Sequence, residues 1–411
     1  MSPARRAAFT VLLRVFEDDA YADRVFATAA AGLEPRDRAL AQRLAYGAVQ
    51  RVRTLDHAIE AIGRRRVEKL DAPVRAALRL GAYQLGYLDA VPRHAAVNES
   101  VELVRAARLE RAVPFANAVL RRLALGLDEL LAGLPEGPLK HSYPDWVWDV
   151  WRRDLGEAEA LELMRAQNEP PETVVRLVRG EPVGEPTDVP GAWRVARVDE
   201  QALAEGRIWP QSRGSQLAGL VVGSQEGERV LDLCAAPGGK ATMLRGEIVA
   251  VELHEGRARE LEENARRLGA ANVHVVNADA LALPEDLRGF DRALVDAPCS
   301  GLGVLAARPD LRWRAEPLPE LQLDLLRAAA ERVRPGGRVV YSVCTINADE
   351  NEAVVDASGL EPEPLGDEWP AFAHPRRPEF LLTTPHRHGT SGFFVARLRV
   401  PGRGAPTDLA A

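Results

Sequence analysis

Apolar residues recur at three- and four-residue spacing through the first third of the chain. The pattern runs through residues 7–16, 40–49 and 74–85, and short breaks of Gly, Pro and Asp separate these segments. Such spacing puts the apolar side chains on one face of a helix, and no period-two strand pattern interrupts it. We therefore predict an all-helical bundle with its own core over residues 1–130.

From about residue 211 the pattern changes to short apolar strands that alternate with helices. The strand-like segments are ERVLDLC, EIVAVEL, NVHVVNAD, FDRALVDAP and GRVVYSVC, and helices are predicted after the first Gly turn, up to Leu268 and over 319–333. This alternation is typical of βαβ units in a parallel sheet. We predict a Rossmann-like, doubly wound domain over residues 211–400, in which GTSGFFVARLRV is a last, antiparallel edge strand.

The region between these two is predicted to hold a linker and a smaller mixed unit. The linker covers residues 128–140, and a small α/β subdomain follows over 140–210. Its three tryptophans could stack on nucleic-acid bases or form an ordinary packing face; they are Trp146, Trp148 and Trp151. Residues 401–411 are predicted to be a flexible tail.

Composition places the chain among globular proteins of two or three domains. It has 411 residues, of which 46% are apolar and 27% charged. No run approaches the roughly 18 apolar residues of a membrane span, and the amino terminus lacks a signal-type apolar region. We expect a cytoplasmic protein without a membrane segment.

Charge is distributed unevenly along the chain. The net charge is −7, yet residues 1–140 hold 22 Lys and Arg against 17 Asp and Glu. Most of the basic residues are arginine, whose planar fork suits phosphate recognition, although a GC-rich genome would produce the same bias. The candidate phosphate-binding surface, for which a solvated helix face is the alternative, consists of Arg5, Arg6, Arg51, Arg53, Arg64, Arg65, Arg66, Arg121 and Arg122.

All three cysteines follow predicted strands of the second half. Cys234, Cys299 and Cys344 come after the first, fourth and fifth strands. Doubly wound sheets bind ligands at the carboxyl ends of their strands, and in the usual order these three strands are neighbours. We expect Cys299 and Cys344 in one pocket, as free thiols. The alternatives are small buried side chains and a zinc site, which the absence of any CxxC pair disfavours.

A tight turn of small residues follows the first predicted strand and would let a ligand approach the backbone. The turn consists of Cys234, Ala235, Ala236, Pro237, Gly238, Gly239 and Lys240. Glu252 and Asp279 end the next two strands, where acids bind the hydroxyl and amino groups of an adenosine. Because GxGxxG is absent, the pattern favours S-adenosylmethionine over a dinucleotide.

Asp296, after the fourth strand, adds a carboxyl beside Cys299 and Cys344. A thiolate that adds to carbon 6 of a cytosine makes carbon 5 nucleophilic. A carboxyl that protonates or hydrogen-bonds the N3 edge assists the addition. The set therefore suits methylation of carbon 5, and spacing does not decide which thiol attacks.

The motifs resemble those of the NOP/Sun family of RNA cytosine-C5 methyltransferases. The matching segments are LDLCAAPGGK, DAPCSGLGV with RPDLRW, the Cys344 strand with Asp349-Glu350-Asn351, and GFFVARL. HAAVNESVELVR and PFANAVLRRL resemble the NusB-type RNA-binding domain, a combination that is similar to bacterial 16S rRNA methyltransferases.

The resemblance implies roles for individual residues. Residues 234–240, Glu252, Asp279 and Asp296 would line the S-adenosylmethionine pocket. Cys344 would be the nucleophile, Cys299 would help to release the product, and Asp296 would activate the base. The partner would be 16S rRNA, naked or in a partly assembled small subunit, bound by a monomer with no metal. Both the helical region and the 140–210 subdomain would bind RNA, with candidate contacts at Arg308, Arg312, Arg121 and Arg122.

Three positions depart from the family pattern. Val343 precedes Cys344 where Thr is usual, so a hydroxyl that helps to position the base would be missing or would come from Ser342. Gln211-Ser212-Arg213 replaces a Gln-Asp sequence, and Glu252 replaces Asp. Two other functions stay open: an RNA-binding assembly factor with a vestigial catalytic domain, and a nucleotide-dependent oxidoreductase with redox thiols, which the missing CxxC and GxGxxG disfavour.

Overall fold

The structure is a computed structural model that describes residues 2–402. From residue 403 onward, the predicted tail lies outside the described residues. The helices, in chain order, are α1 (Pro3–Glu17), α2 (Ala22–Ala29), α3 (Pro35–Gln50), α4 (Val52–Gly63), α5 (Ala72–Tyr87), α6 (Arg93–Ala106), α7 (Val113–Ala132), α8 (Pro138–His141), α9 (Asp145–Leu155), α10 (Glu157–Ala166), α11 (Glu200–Ala204), α12 (Arg213–Val222), α13 (Glu255–Leu268), α14 (Leu311–Arg314), α15 (Pro319–Arg332), α16 (Glu352–Ser358) and α17 (Pro385–His388).

The strands form two sheets. They are β1 (Val174–Leu177), β2 (Glu185–Pro186), β3 (Ala192–Arg194), β4 (Ile208–Pro210), β5 (Arg229–Leu233), β6 (Glu247–Glu252), β7 (Val273–Asn277), β8 (Phe290–Asp296), β9 (Val333–Val343), β10 (Glu361–Glu363), β11 (Leu381–Thr383) and β12 (Phe393–Arg399). Among the described residues no helix has the length and apolar character needed to cross a membrane.

The chain divides into two compact units. The helical unit consists of the residues up to Asn168 together with Leu305–Arg314, and the α/β unit consists of 169–304 and the described residues from 315 onward. In the helical unit, α1 to α7 surround one apolar core that includes Leu12, Leu44 and Leu120. The all-helical prediction for this region is therefore confirmed. Residues 128–132 continue α7, so the predicted linker is partly helical.

The α/β unit contains a four-stranded antiparallel sheet, in the order β2-β3-β1-β4, and a larger sheet in the order β10-β12-β9-β8-β5-β6-β7. β5 to β9 are parallel, and β5, β8 and β9 are neighbours, as predicted. β12 pairs antiparallel with β9. It is not the edge strand, however, because β10 pairs with its other side.

Strand residues of the large sheet alternate between two apolar cores. Leu231 and Val249 pack on the side of α15, whereas Val230 and Ile248 pack on the side of α12. The predicted α-helix after β5 is wrong: only the 3₁₀ helix Ala241–Met243 follows the turn. Since β6 begins at Glu247, too few residues separate the turn from the next strand for a longer helix.

Candidate active site

The predicted ligand turn, 234–240, is built so tightly that two positions exclude a side chain. Gly238 has a φ of +102°, and a Cβ there would lie 2.5 Å from Leu261 Cδ1. A Cβ on Gly239 would lie 2.9 Å from Trp209 Nε1. The Asn264 side-chain amide donates to the Pro237 carbonyl at 2.9 Å and holds the turn in place. The backbone of this turn therefore forms a wall that a ligand can approach closely.

A cavity of about 210 Å³ lies beside this turn, at the carboxyl ends of β5 and β8. Its lining consists of Trp209, Pro210, Gln211, Ser212, Ser215, Asp232, Cys234, Ala235, Ala236, Pro237, Gly239, Lys240 and Asp296. The structure thus brings the predicted turn and Asp296 together. Sequence analysis missed Trp209 and Gln211 because they precede the first strand of the large sheet, outside any βα loop.

Asp232 is a buried carboxyl at the cavity, and no group among residues 2–402 satisfies it. It is 0% exposed, and among the described residues neither of its oxygens has a hydrogen-bond partner. Burial, and then the negative charge of Asp296, raise the pKa of Asp232 well above its usual range, while Lys240 opposes the shift. A cationic ligand group would supply the missing partner. The cavity therefore fits S-adenosylmethionine, whose methyl donor group is a cation.

The two acids predicted to bind the adenosine lie on the next two strands. Glu252 is buried at the end of β6, where it accepts a hydrogen bond from the His254 amide at 3.0 Å. Its second oxygen is 3.6 Å from Arg257. Asp279 is exposed beyond the end of β7, and it accepts a hydrogen bond from the Leu281 amide at 2.9 Å. Neither acid lines the cavity itself.

Asp296 is held at the cavity by a cation and a hydroxyl. Lys240 Nζ lies 2.7 Å from its Oδ2 atom, and the Ser342 hydroxyl donates to Oδ1 at 3.3 Å. Val343 is buried in the core on the α15 side. The hydroxyl that contacts Asp296 from this strand therefore belongs to Ser342.

The Cys299 and Cys344 thiols meet, with their sulfur atoms 3.5 Å apart. The hydrogen bond from Cys299 lowers the pKa of Cys344, with help from Lys240 and against burial and the charge of Asp296. The same bond, burial and the charge of Glu350 raise the pKa of Cys299. Either sulfur can donate this hydrogen bond, and the positive charge of Lys240 favours the thiolate at Cys344.

Cys234 has a different environment. It is free, like the other two, and has a positive φ of 63° at the start of the turn. Burial and the negative charges of Asp232, Asp296 and Glu252 raise the pKa of its thiol to about 12. This residue stays protonated near neutral pH and shapes the turn rather than acting as a nucleophile.

The arginines proposed as RNA contacts fall into two groups. Arg121 and Arg122 are exposed on α7. Arg312 is fully buried inside the helical unit, where it donates to the Gln167 carbonyl at 2.8 Å and stacks 4.0 Å from the Tyr143 ring. Arg308 is half-buried beside Asp23, at 3.6 Å. The prediction for Arg312 is corrected, because a guanidinium without exposed atoms cannot bind a phosphate in this arrangement.

Packing contacts also define the environment of the three tryptophans and of the segment around Gln211. Trp151 is fully buried against Tyr143, whereas Trp146 and Trp148 are partly exposed. Arg213, at the second departure from the family pattern, is buried and pairs with Glu172 at 2.9 Å. Its neighbour Ser212 caps α12. These residues hold the segment that carries Gln211.

Comparison with known proteins shows similarity along nearly the whole chain. Residues 220–399 match the family described as 16S rRNA methyltransferase RsmB/F, and residues 2–125 match the NusB family. The chain is 33% identical to the probable ribosomal RNA small subunit methyltransferase B of Synechocystis sp., over 97% of this chain and 100% of that one. It is 37% identical to ribosomal RNA small subunit methyltransferase B of Thermus thermophilus, over 89% of each chain. The crystal structure of PH0851 has a TM-score of 0.80 at 25% identity, and the match covers 97% of this chain and 99% of that one.

Proposed function

Because the chain belongs to the RsmB/F family of 16S rRNA methyltransferases, we propose that it methylates carbon 5 of a cytosine in 16S rRNA through a covalent bond to Cys344. The predicted family and its NusB-like domain are confirmed. The observation that carries the proposal is the pair of hydrogen-bonded thiols, whose sulfur atoms are 3.5 Å apart. Asp296 and the cavity complete the set.

The residues that would hold S-adenosylmethionine are the turn 234–240, Asp232, Glu252, Asp279 and Asp296. When bound, the cofactor supplies a methyl group whose bond to the sulfonium sulfur breaks as carbon 5 forms its new bond. Asp232 faces the cavity without a partner and would balance positive charge there. Glu252 is placed to accept hydrogen bonds from a ribose.

Addition begins with the Cys344 thiolate. Its sulfur forms a bond to carbon 6 of the cytosine, and the electron pair of the ring double bond moves toward carbon 5 and the N3 edge. Asp296, oriented by Lys240 and Ser342, takes up a proton from solvent, passes it to N3 as this bond forms and takes it back when the bond breaks. Carbon 5 thereby becomes the nucleophile that accepts the methyl group.

Release reverses the covalent bond. A base removes the carbon-5 proton, the electron pair of that carbon–hydrogen bond forms the ring double bond, and the electron pair of the bond between sulfur and carbon 6 returns to Cys344. The Cys299 thiol donates its hydrogen bond to the departing thiolate and so makes Cys344 a better leaving group. Cys234 takes no part, since its raised pKa keeps it protonated.

RNA binding is proposed for a cationic cavity of the helical unit. This cavity, of about 560 Å³, is bordered by the four cations Arg65, Lys69, Arg108 and Arg111, by the two acids Asp71 and Glu110, and by apolar residues that include Phe115. All four cations are exposed, and none has an ion pair within residues 2–402. Arg65 lies 5.8 Å from the Phe115 ring centroid. Cations around an apolar floor suit an unpaired nucleotide, whose base stacks while its phosphates pair with the cations.

The two thiol roles are separated by two single substitutions. Cys344→Ala should abolish transfer of labelled methyl to a small-subunit rRNA fragment, because no covalent adduct can form. Cys299→Ala should retain one methylation event and accumulate a protein–RNA adduct that survives denaturing electrophoresis. Cys234→Ala is the matched control and should turn over normally. An adduct in Cys344→Ala and none in Cys299→Ala would reverse the assignment.

A further inference from the structure

Glu350 is a buried carboxylate in the loop after Cys344, and the steps above do not use it. It is 0% exposed, and among residues 2–402 it has no ion pair with Lys, Arg or His. A buried carboxylate without a cation is costly unless hydrogen bonds satisfy it. The hydrogen-bond donors that satisfy Glu350 indicate its role.

Five hydrogen bonds converge on the two Glu350 oxygens. Oε1 accepts from the Ser300 amide at 2.9 Å, the Leu318 amide at 3.2 Å and Gln322 Nε2 at 2.9 Å. Oε2 accepts from Asn347 Nδ2 at 3.1 Å and, at shorter range, from the Ser300 hydroxyl. All of these groups donate, so only a residue with two acceptor oxygens fits.

Ser300 follows Cys299, and Asn347 lies in the loop after Cys344, so both thiol segments donate to Glu350. The other two donors, Leu318 and Gln322, lie at the start of α15. The Thr345 hydroxyl, next to Cys344, donates to the Ser300 hydroxyl, with the two oxygens 2.7 Å apart. Glu350 therefore ties the loop after β8 to the loop after β9 at the positions next to the sulfur atoms.

We propose that Glu350 is a positioning residue for the release step: it fixes the distance between the two thiols and keeps the Cys299 proton directed at Cys344. This inference rests on the proposed function. The negative charge of Glu350 also helps to keep Cys299 protonated, because it raises the pKa of Cys299 together with the Cys344 hydrogen bond and burial. Asp296 and Lys240 are the charged groups that face Cys344 from the other side.

The test compares Glu350→Gln with a matched control, Glu352→Gln. Glu352 is a nearby, largely buried acid that pairs with His374 at 2.8 Å and touches neither thiol loop through that pair. In Glu350→Gln one carboxylate oxygen becomes an amide that faces donors. We expect adduct breakdown to slow about 10- to 100-fold, with an unchanged KM for RNA. Glu352→Gln should behave as wild type.

A second variant protects the test against misfolding of Glu350→Gln. Gln322→Leu removes one donor to Glu350 and should slow adduct breakdown in the same direction, by less. A merely structural role would lower the unfolding midpoint and leave adduct lifetime unchanged in both variants, which would overturn the proposal. If wild type and Cys299→Ala form no adduct with rRNA, the proposed function fails instead.

Discussion

At the scale of single residues, Asp232 and Glu350 are two buried carboxyls in opposite situations. Glu350 accepts five hydrogen bonds from its own chain. Asp232 accepts none among the described residues. Glu350 is therefore satisfied without a ligand, whereas Asp232 destabilises the protein when ionised until a positive group enters the cavity.

The pH dependence of stability should reveal Asp232. Its raised pKa means that the folded protein binds this proton more tightly than the unfolded chain does. That stabilisation is complete below about pH 4, the unfolded pKa, and is lost as pH rises through the folded pKa. Asp232→Asn should therefore gain unfolding free energy relative to wild type with rising pH, by about 1–3 kcal/mol, in urea titrations without cofactor.

Two further measurements complete the Asp232 test. Calorimetry should show weaker S-adenosylmethionine binding by Asp232→Asn. Asp279→Asn, which alters an exposed acid, should change stability by an amount that does not vary in the same way with pH. A constant difference between Asp232→Asn and wild type across the range would contradict the predicted titration.

The sequence predicted the meeting of Cys299 and Cys344, because both follow strands whose order is common to doubly wound sheets. It did not predict the isolation of Asp232 or the bonds of Glu350. Those depend on which donors the folded chain brings to a given oxygen. Arg312 shows the same limit, since the sequence around a charged residue does not reveal that Tyr143 and the Gln167 carbonyl enclose it.

At the scale of elements, alternation of apolar residues sufficed to predict the parallel strands, and helical spacing sufficed for α1 to α7. The turn after β5 was harder, because its small residues permit either a helix or a tight return to β6. Contacts with Leu261 and Trp209 decide its shape. Likewise, β10 became the edge of the sheet through pairing with β12, and its short polar sequence gives no strand signal.

The turn should be sensitive to one methyl group at Gly238. Gly238→Ala adds a Cβ 2.5 Å from Leu261 and keeps a φ of +102°, so we expect a loss of about 1–3 kcal/mol in unfolding free energy. Gly256→Ala is the control, since nothing lies within 4 Å of its Cβ. In α13 it should gain up to about 1 kcal/mol. Equal denaturation curves for the two variants would refute this account of the turn.

At the scale of the whole molecule, the cationic cavity differs from the rest of the helical unit in whether its cations are paired with acids. The cationic cavity gathers Arg65, Lys69, Arg108 and Arg111, whereas many other exposed arginines of the helical unit are paired with acids. The net charge does not reveal this cluster of unpaired cations, because the chain as a whole carries −7. Binding strength should therefore depend on which arginines are unpaired rather than on their number.

Salt dependence of RNA binding tests this distinction. Replacing all four cations of the cavity by Gln should reduce the slope of log affinity against log salt by about 0.7 for each phosphate that the protein no longer neutralises. The control replaces Arg14, Arg93, Arg105 and Arg152 by Gln, each of which is ion-paired with an acid of its own unit. This control should leave the slope of log affinity against log salt largely unchanged. Equal slopes for the two variants would exclude the cavity as the RNA site.

Residues 305–314 belong to the helical unit although they follow much of the α/β unit in the sequence. This arrangement limits which parts of the chain recombination can exchange. Arg312 reaches the Gln167 carbonyl, and the Trp313 indole donates to the Val49 carbonyl at 2.7 Å. A recombination event that exchanged only the first 168 residues would leave this segment matched to the wrong helices. An exchange of the helical unit by recombination would therefore have to carry residues 305–314 as well.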